Sequence, residues 1–376
     1  MIFLLLRFVR GFERRSCKEN RKIKIKKDKP INLNPKIIKE EKMDFKKTVY
    51  GLLIFVFLLA SVPVCAQQQV ISTEKATIVW GYCPYGMLET GVMKAKQFWK
   101  PYLPNVEVEW FFGLYSPHLV NNWIAGKIEL AYLGNMPSAM LRAQKPDAKW
   151  VGIAVYPHGN VGAIFVPSNS KIQSIKELNG KSVATGVGSS HHRILEEVMK
   201  QENIKFDILN QAPEVAIGNL EAGKIDAFCY WPPYIEMAKY KKIGKILSPG
   251  NMKKYEPNVN AIWTIMASEN FAKKNPKILK GIIKADLDLH KFVKEKPDEA
   301  AQIVFKELEE KIPLQVLKAS LASYDYADRF DQEHIDVMQR DIDFLFSKGF
   351  IKKEIKAAEW ADTSYVKEIL SEMKKK

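Results

Sequence analysis

The residues best suited to chemistry stand together at Gly188-Ser189-Ser190-His191-His192-Arg193, just after Gly186. Glycine lets the backbone approach a ligand, serine can cap a helix, and a helix's first turn leaves N–H groups unpaired at the positive end of its dipole. The chemistry on offer is capture of a small anion. Catalysis is not expected, because adjacent His191 and His192 project to different sides of a helix and no serine, cysteine or carboxylate is spaced to serve as their partner. The six histidines contain no HExxH arrangement, and no metal or other cofactor is implied. His191 is assigned a hydrogen bond to a ligand and His192 no role, while Arg193 reads as an exposed helix arginine before it reads as a counter-charge. The plain alternative is a capped strand-to-helix connection that binds nothing.

That cluster needs a strand before it and a helix after it. Lys181–Met199 supplies both: Val183-Ala184 is a short apolar run, and Ile194, Leu195, Val198 and Met199 recur at helical spacing. The same unit appears elsewhere. Thr77–Tyr82, Val106–Phe112 and Ile128–Leu133 read as strands. A helix carrying Val92, Met93, Ala95 and Phe98 follows the first, and Leu119–Ala125 is a helix ended by Gly126. Gly134-Asn135 is a turn, with Pro137 placed as a first helical residue. Strands alternating with helices imply parallel sheets.

Asn122–Ile128 (NWIAGKI) matches Asn219–Ile225 (NLEAGKI) at five of seven positions, which points to two lobes of similar build. Val161–Val166 and Asn260–Ala267 read as strands carrying the chain from one lobe to the other and back. Lobe 1 is expected over 67–163, lobe 2 over 164–260, and 261–376 returns to lobe 1 with helices from Lys277, after Pro297 and over Gln332–Ser347.

Ligands of open parallel sheets lie beyond the carboxyl ends of the strands. Four turns qualify: Tyr82–Glu89, Gly134–Pro137, Gly188–His191 and Tyr230–Tyr234. If the lobes face each other, the N–H groups after Gly134 and after Gly188 converge on one cleft without a buried arginine. Aromatic residues crowd the turns; Tyr132 and Tyr230, inside strands, read as core, and Trp231, beside Pro232-Pro233, as a ligand wall. Tyr85 is a further wall candidate. Glu89 reads either as acceptor from a ligand ammonium group or as a helix N-terminal acid favoured by the dipole.

The whole chain carries 58 basic and 43 acidic residues, a net charge of +15. Residues 1–42 are basic and aperiodic and read as an untranslated or disordered upstream extension. Met43 begins a signal peptide (43–66), with Lys46 and Lys47, an apolar Leu52–Ala60 and a Val64-Cys65-Ala66 cleavage site before Gln67. A native peptide from before Met43, found by mass spectrometry, would refute that start. Lipid anchoring at Cys65 is not expected after Val62-Pro63-Val64. Residues 1–66 hold 16 of the basic and 6 of the acidic side chains, so the exported part has a net charge of about +5 and no nucleic-acid signature. Cys83 and Cys229 remain, enough for one disulfide at most.

Together these blocks resemble the solute-binding proteins of ABC importers that serve taurine, aliphatic sulfonates and nitrate, with the α/β two-lobed type II periplasmic-binding-protein fold, each lobe a parallel-type sheet flanked by helices around a ligand cleft. The resemblance runs from about Ala76 to the C-terminus. It is carried by Gly81-Tyr82, by Gly126-Lys127-Ile128 through Gly134-Asn135-Met136-Pro137, by Gly188-Ser189-Ser190-His191, and by Ala222–Ala227 leading to Trp231-Pro232-Pro233. It implies a periplasmic, monomeric, non-catalytic protein that captures a small anionic or zwitterionic solute, taurine or an aliphatic sulfonate first, and delivers it to an ABC permease. It also implies ligand contacts at Tyr82, Asn135, Ser189, Ser190, His191 and Trp231, with Tyr85, Glu89, Met136 and Gly188 in the same turns. Asn135, Pro232 and Cys83-Pro84-Tyr85 depart from the usual pattern and leave the solute open. Alternatives are nitrate, a thiamine-precursor pyrimidine, an exported ligand sensor, and an enzyme on the same fold.

Overall fold

The computed structural model describes residues 70–157, 163–247, 255 and 262–374; the expected extension and signal peptide lie outside them. The chain begins with strand β1 (Ala76–Tyr82), helix α1 (Glu89–Lys96), β2 (Val106–Phe112), α2 (Ser116–Ile124), β3 (Leu130–Gly134), α3 (Asn135–Gln144) and β4 (Ala148–Pro157). A second run follows: β5 (Ala163–Pro167), β6 (Ser182–Thr185), α4 (Ser190–Glu202), β7 (Asp207–Asn210), α5 (Pro213–Glu221), β8 (Ala227–Tyr230), α6 (Tyr234–Tyr240) and β9 (Gly244–Ile246). The rest is β10 (Trp263–Ser268), α7 (Glu269–Lys274), α8 (Pro276–Glu295), α9 (Pro297–Glu307), α10 (Leu314–Ala322), β11 (Tyr324–Asp325), α11 (Gln332–Ser347), α12 (Ala357–Trp360) and α13 (Ser364–Lys374).

The strands form two sheets, ordered β11-β4-β10-β3-β1-β2 and β7-β6-β8-β5-β9. Each has a parallel centre, β2-β1-β3 in one and β7-β6-β8 in the other. The strand that each passage between lobes leads into runs the other way: β10 is antiparallel to β3 and β4, and β5 to β8 and β9, so both sheets are mixed. Where the chain leaves the first sheet and where it re-enters, Val155 and Trp263 are paired. In the second sheet, the Leu247 N–H donates to the Ile164 carbonyl at 2.9 Å, close to where the chain enters and leaves.

Alternation in the second sheet buries both faces. Ile164, Val166, Ala227 and Cys229 join one cluster, and Ala163, Phe165, Phe228 and Tyr230 the other, as period-two side chains covered by helices on each face require. The core around the first sheet draws on Ile78 to Ile153 and again on Ile262 to Ile369, so the C-terminal helices complete it.

The repeated heptapeptides adopt the same helix stop. Gly126 (φ +74°) and Gly223 (φ +67°) sit in the left-handed region. Lys127 donates to the Asn122 carbonyl at 2.9 Å, and Lys224 to that of Asn219 at 2.8 Å. This six-to-one closure satisfies carbonyls that the helix end would leave bare. Two local expectations shift. Phe98 falls beyond α1, which ends at Lys96 and is followed by Gln97 in the left-handed region, and Pro137 is the third residue of α3, after Asn135 and Met136. Among the described residues no helix is long and apolar enough to cross a membrane.

Candidate functional site

A cavity of about 430 Å³ opens between the ends of the two sheets, bordered by Cys83, Gly134, Gly188 and Trp231 from the turns read in the sequence. Asn135, Met136, Ser189, Ser190 and His191 line it as well. Two turns not singled out contribute too: Leu114–Pro117 after β2 and Asn210–Pro213 after β7. Ser116-Pro117 and Ala212-Pro213 each place proline in the first turn of the following helix, the signal that could have found them. Trp263, from β10, carries no such signal; a Cβ on Gly86 would lie 2.8 Å from its ring, so this indole packs directly on the first turn.

The donors that face the cavity are fewer than the sequence implied. In the first lobe, Gly134 N–H goes to the Ser116 hydroxyl at 3.1 Å and Asn135 N–H to the Ile262 carbonyl at 3.1 Å. Pro137 has no N–H, which leaves the Met136 amide as the first-turn donor of α3. In the second lobe, Gly188 (φ +80°) donates to His192 Nδ1 at 3.2 Å and Ser189 N–H to the Gly186 carbonyl at 3.1 Å. The Ser189 side chain caps α4 by accepting from His192 N–H at 3.3 Å. Ser190 is then a first-turn residue of α4 whose amide has no acceptor within the helix.

His192, given no role from sequence, therefore supports the turn. Burial lowers its pKa, and the neutral ring accepts the Gly188 N–H while its edge meets Phe344 and Phe350. His191 is 3% exposed and lies 5.2 Å, centroid to centroid, from the Trp231 ring. Trp231 Nε1 is buried and has no hydrogen-bond partner among the described residues. Tyr234 lines the cavity and donates to Glu214 Oε1 at 3.1 Å. Tyr115, from the first lobe, donates to the other oxygen of the same carboxylate.

Tyr82, Tyr85 and Glu89 lie off the lining. Tyr82 packs edge-on against Trp110 and Phe112, and Tyr85 against Phe112. Glu89 is 1% exposed, both its oxygens lack a partner among the described residues, and burial pushes its pKa up to about 8, so it sits in the core of the first lobe and off the described lining. Tyr132 and Tyr230 are core, donating to Asp286 Oδ1 and to the Gln211 carbonyl, each at 2.8 Å. Arg193 is a correction: it is buried, and its Nε donates to Asp341 Oδ1 at 2.8 Å.

No Lys, Arg, Asp or Glu is among the described residues lining the cavity. An anion there meets neutral polar groups together with apolar side chains such as Leu114, Met140 and Ile262. Cys83 and Cys229 are both free thiols pushed up to about 12, mainly by burial. Cys83 Sγ lies 3.9 Å from the Ser116 hydroxyl. No group of three or more His, Cys, Asp or Glu among the described residues is arranged to hold a metal.

A family profile described as NMT1/THI5 like matches residues 106–300. A Bacillus subtilis (strain 168) protein named for binding aliphatic sulfonates is 26% identical over 273 residues, 71% of this chain and 80% of its own. The taurine-binding periplasmic protein of Escherichia coli (strain K12) is 25% identical over 184 residues, 48% of this chain and 55% of its own, so the chain spans little more than half of that relative. Among solved structures, the alkanesulfonate-binding protein SsuA from Xanthomonas axonopodis pv. citri, bound to MOPS, superposes with a TM-score of 0.67 at 19% identity, covering 77% of this chain and 99% of that one. The desulfurization enzyme DSZB gives 0.60 at 13% identity, covering 80% and 100%. The fold is thus that of periplasmic binding proteins, a fold that enzymes also use.

Proposed function

The chain belongs to the NMT1/THI5-like family, and on that premise we propose that it is the exported solute-binding component of an ABC importer, capturing a small organosulfonate with an apolar body and passing it to a membrane permease. One observation carries the reading: a cavity between two lobes lined by neutral polar groups and apolar side chains, with charged side chains absent from the described lining. A sulfonate keeps its charge at every physiological pH and needs donors without a proton acceptor. Taurine would bring an ammonium group with no carboxylate to meet it, since Glu89 is buried elsewhere, so alkanesulfonates of three or more carbons rank above it. The relatives' names support both the sulfonate and the periplasmic location.

The protein makes and breaks no bond on this reading. An enzyme of this fold using Cys83 as nucleophile would need a thiolate, whereas burial holds the thiol neutral and its partner is a serine hydroxyl. A flat pyrimidine is the second reading, favoured by Trp231, Tyr234 and Trp263 around the cavity.

The test is a thermal-shift screen followed by calorimetry. A ligand at roughly one hundred times its dissociation constant adds about 2.7 kcal/mol to stability. Butanesulfonate should raise the melting temperature, while butanoate and taurine should raise it little. Trp231→Ala should weaken butanesulfonate binding by about tenfold or more, through loss of an aromatic wall and an indole N–H. A response to pyrimidines alone would replace the sulfonate with the heterocycle.

A further inference from the structure

Four side chains from three helices join in one chain across the cleft. Ser190, opening α4 in the second lobe, donates through Oγ to Asn135 Oδ1 at 2.9 Å, on α3 of the first lobe. Asn135 Nδ2 donates to Asp341 Oδ2 on α11, and Asp341 Oδ1 accepts from Arg193 Nε, back on α4, at 2.8 Å. The Asp341 side chain is 0% exposed and that of Arg193 10%. The circuit starts and ends on α4, one turn apart, and passes through two helices of the other lobe.

We infer that Asp341 and Arg193 are positioning residues for the cavity, forming a buried clasp that fixes the Asn135 amide and holds the two lobes together. An ionised carboxylate accepts and never donates, so Asp341 dictates that the Asn135 NH₂ faces it and that the Asn135 oxygen faces Ser190. The Ser190 hydroxyl is thereby directed beside the first-turn amides of α4. A buried carboxylate left without its cation is strongly unfavourable, and Arg193 reaches it only when α4 lies against α11. Separation of the lobes exposes both charges to water, and closure restores the pair and the amide orientation in one step. Other contacts also join the lobes, among them Tyr324 to the Pro232 carbonyl at 2.8 Å, Lys348 to Glu196 at 2.7 Å and Tyr115 to Glu214, but none of these three runs through the Asn135 amide.

This inference rests on the cleft of the proposed function, and two arms keep the two apart. In the first, the purified ligand-free protein is compared by small-angle scattering with Asp341→Asn, which preserves shape, and with Arg193→Met/Asp341→Leu, which removes both charges and leaves neither stranded. Both should show a larger radius of gyration with unchanged circular dichroism. In the second, butanesulfonate affinity is measured for Asp341→Asn, Asn135→Ala and the pair combined. Asp341→Asn should weaken binding about tenfold, and the double variant should fall short of the product of the single effects by about fivefold or more, as residues acting through one another do. An unchanged radius, or costs that simply multiply, overturns the clasp. If wild type binds no sulfonate, the proposed ligand fails and the scattering arm alone decides the clasp.

Discussion

Glu89 lies in the interior of the first lobe, where burial raises its carboxyl to about 8 and neither oxygen has a hydrogen-bond partner among the described residues. Between the ordinary carboxylate range and pH 8 the folded protein keeps a proton that the unfolded chain has lost, so stability falls as pH rises through that window. Each tenfold change in an acid's ionisation constant between the two states corresponds to about 1.4 kcal/mol. Glu89→Gln should therefore match wild type near pH 4 and exceed it by about 2–4 kcal/mol at pH 8.5, read from urea denaturation at both values. The sequence exposed the dipole-favoured position of this glutamate but not its burial, because the residues that complete the core around it come from helices far downstream. Arg193 was hidden for the same reason: its spacing on α4 gives a face, and only Asp341, 148 residues away, decides that this face is covered. Ser189, by contrast, is legible, since a cap acts within a single turn of chain.

Elements are read most securely where their signals are local. Both heptapeptide repeats stop their helices with glycine at positive φ, and open space surrounds each: nothing lies within 4 Å of a Cβ built on Gly126 or Gly223. Gly126→Ala and Gly223→Ala should then each cost about 1 kcal/mol through backbone conformation alone, equally in both lobes, as measured by chemical denaturation. Ser189→Ala should cost about 1 kcal/mol by uncapping α4. It should also weaken binding, because the turn that positions Ser190 and His191 beside the cavity loses its anchor. Boundaries are less legible. Asn135 N–H is taken by the Ile262 carbonyl, beside a strand distant in sequence, so the amides expected to converge from the first lobe reduce to that of Met136. Periodicity names a helix; it does not name which of its end groups a distant strand will occupy.

At the scale of the molecule, two alternating runs joined by two passages are visible as a pattern, while the antiparallel direction of β5 and β10 is not, because strand direction follows from where the chain must return. The charged contacts between lobes divide by burial. Lys348 and Glu196 are 38% and 31% exposed, so Lys348→Ala should change stability by less than about 0.5 kcal/mol in a denaturant titration, unlike any change at Asp341. The pairing of Val155 with Trp263, and of Leu247 with Ile164, sets the anchor points of both passages side by side on each lobe. Mechanically, attachment at two neighbouring points on each lobe favours bending about a single axis over twist between the lobes. A protease nick in one passage should leave both lobes folded yet release the twist, and the cut protein would lose ligand affinity by misalignment while every contacting residue remained in place.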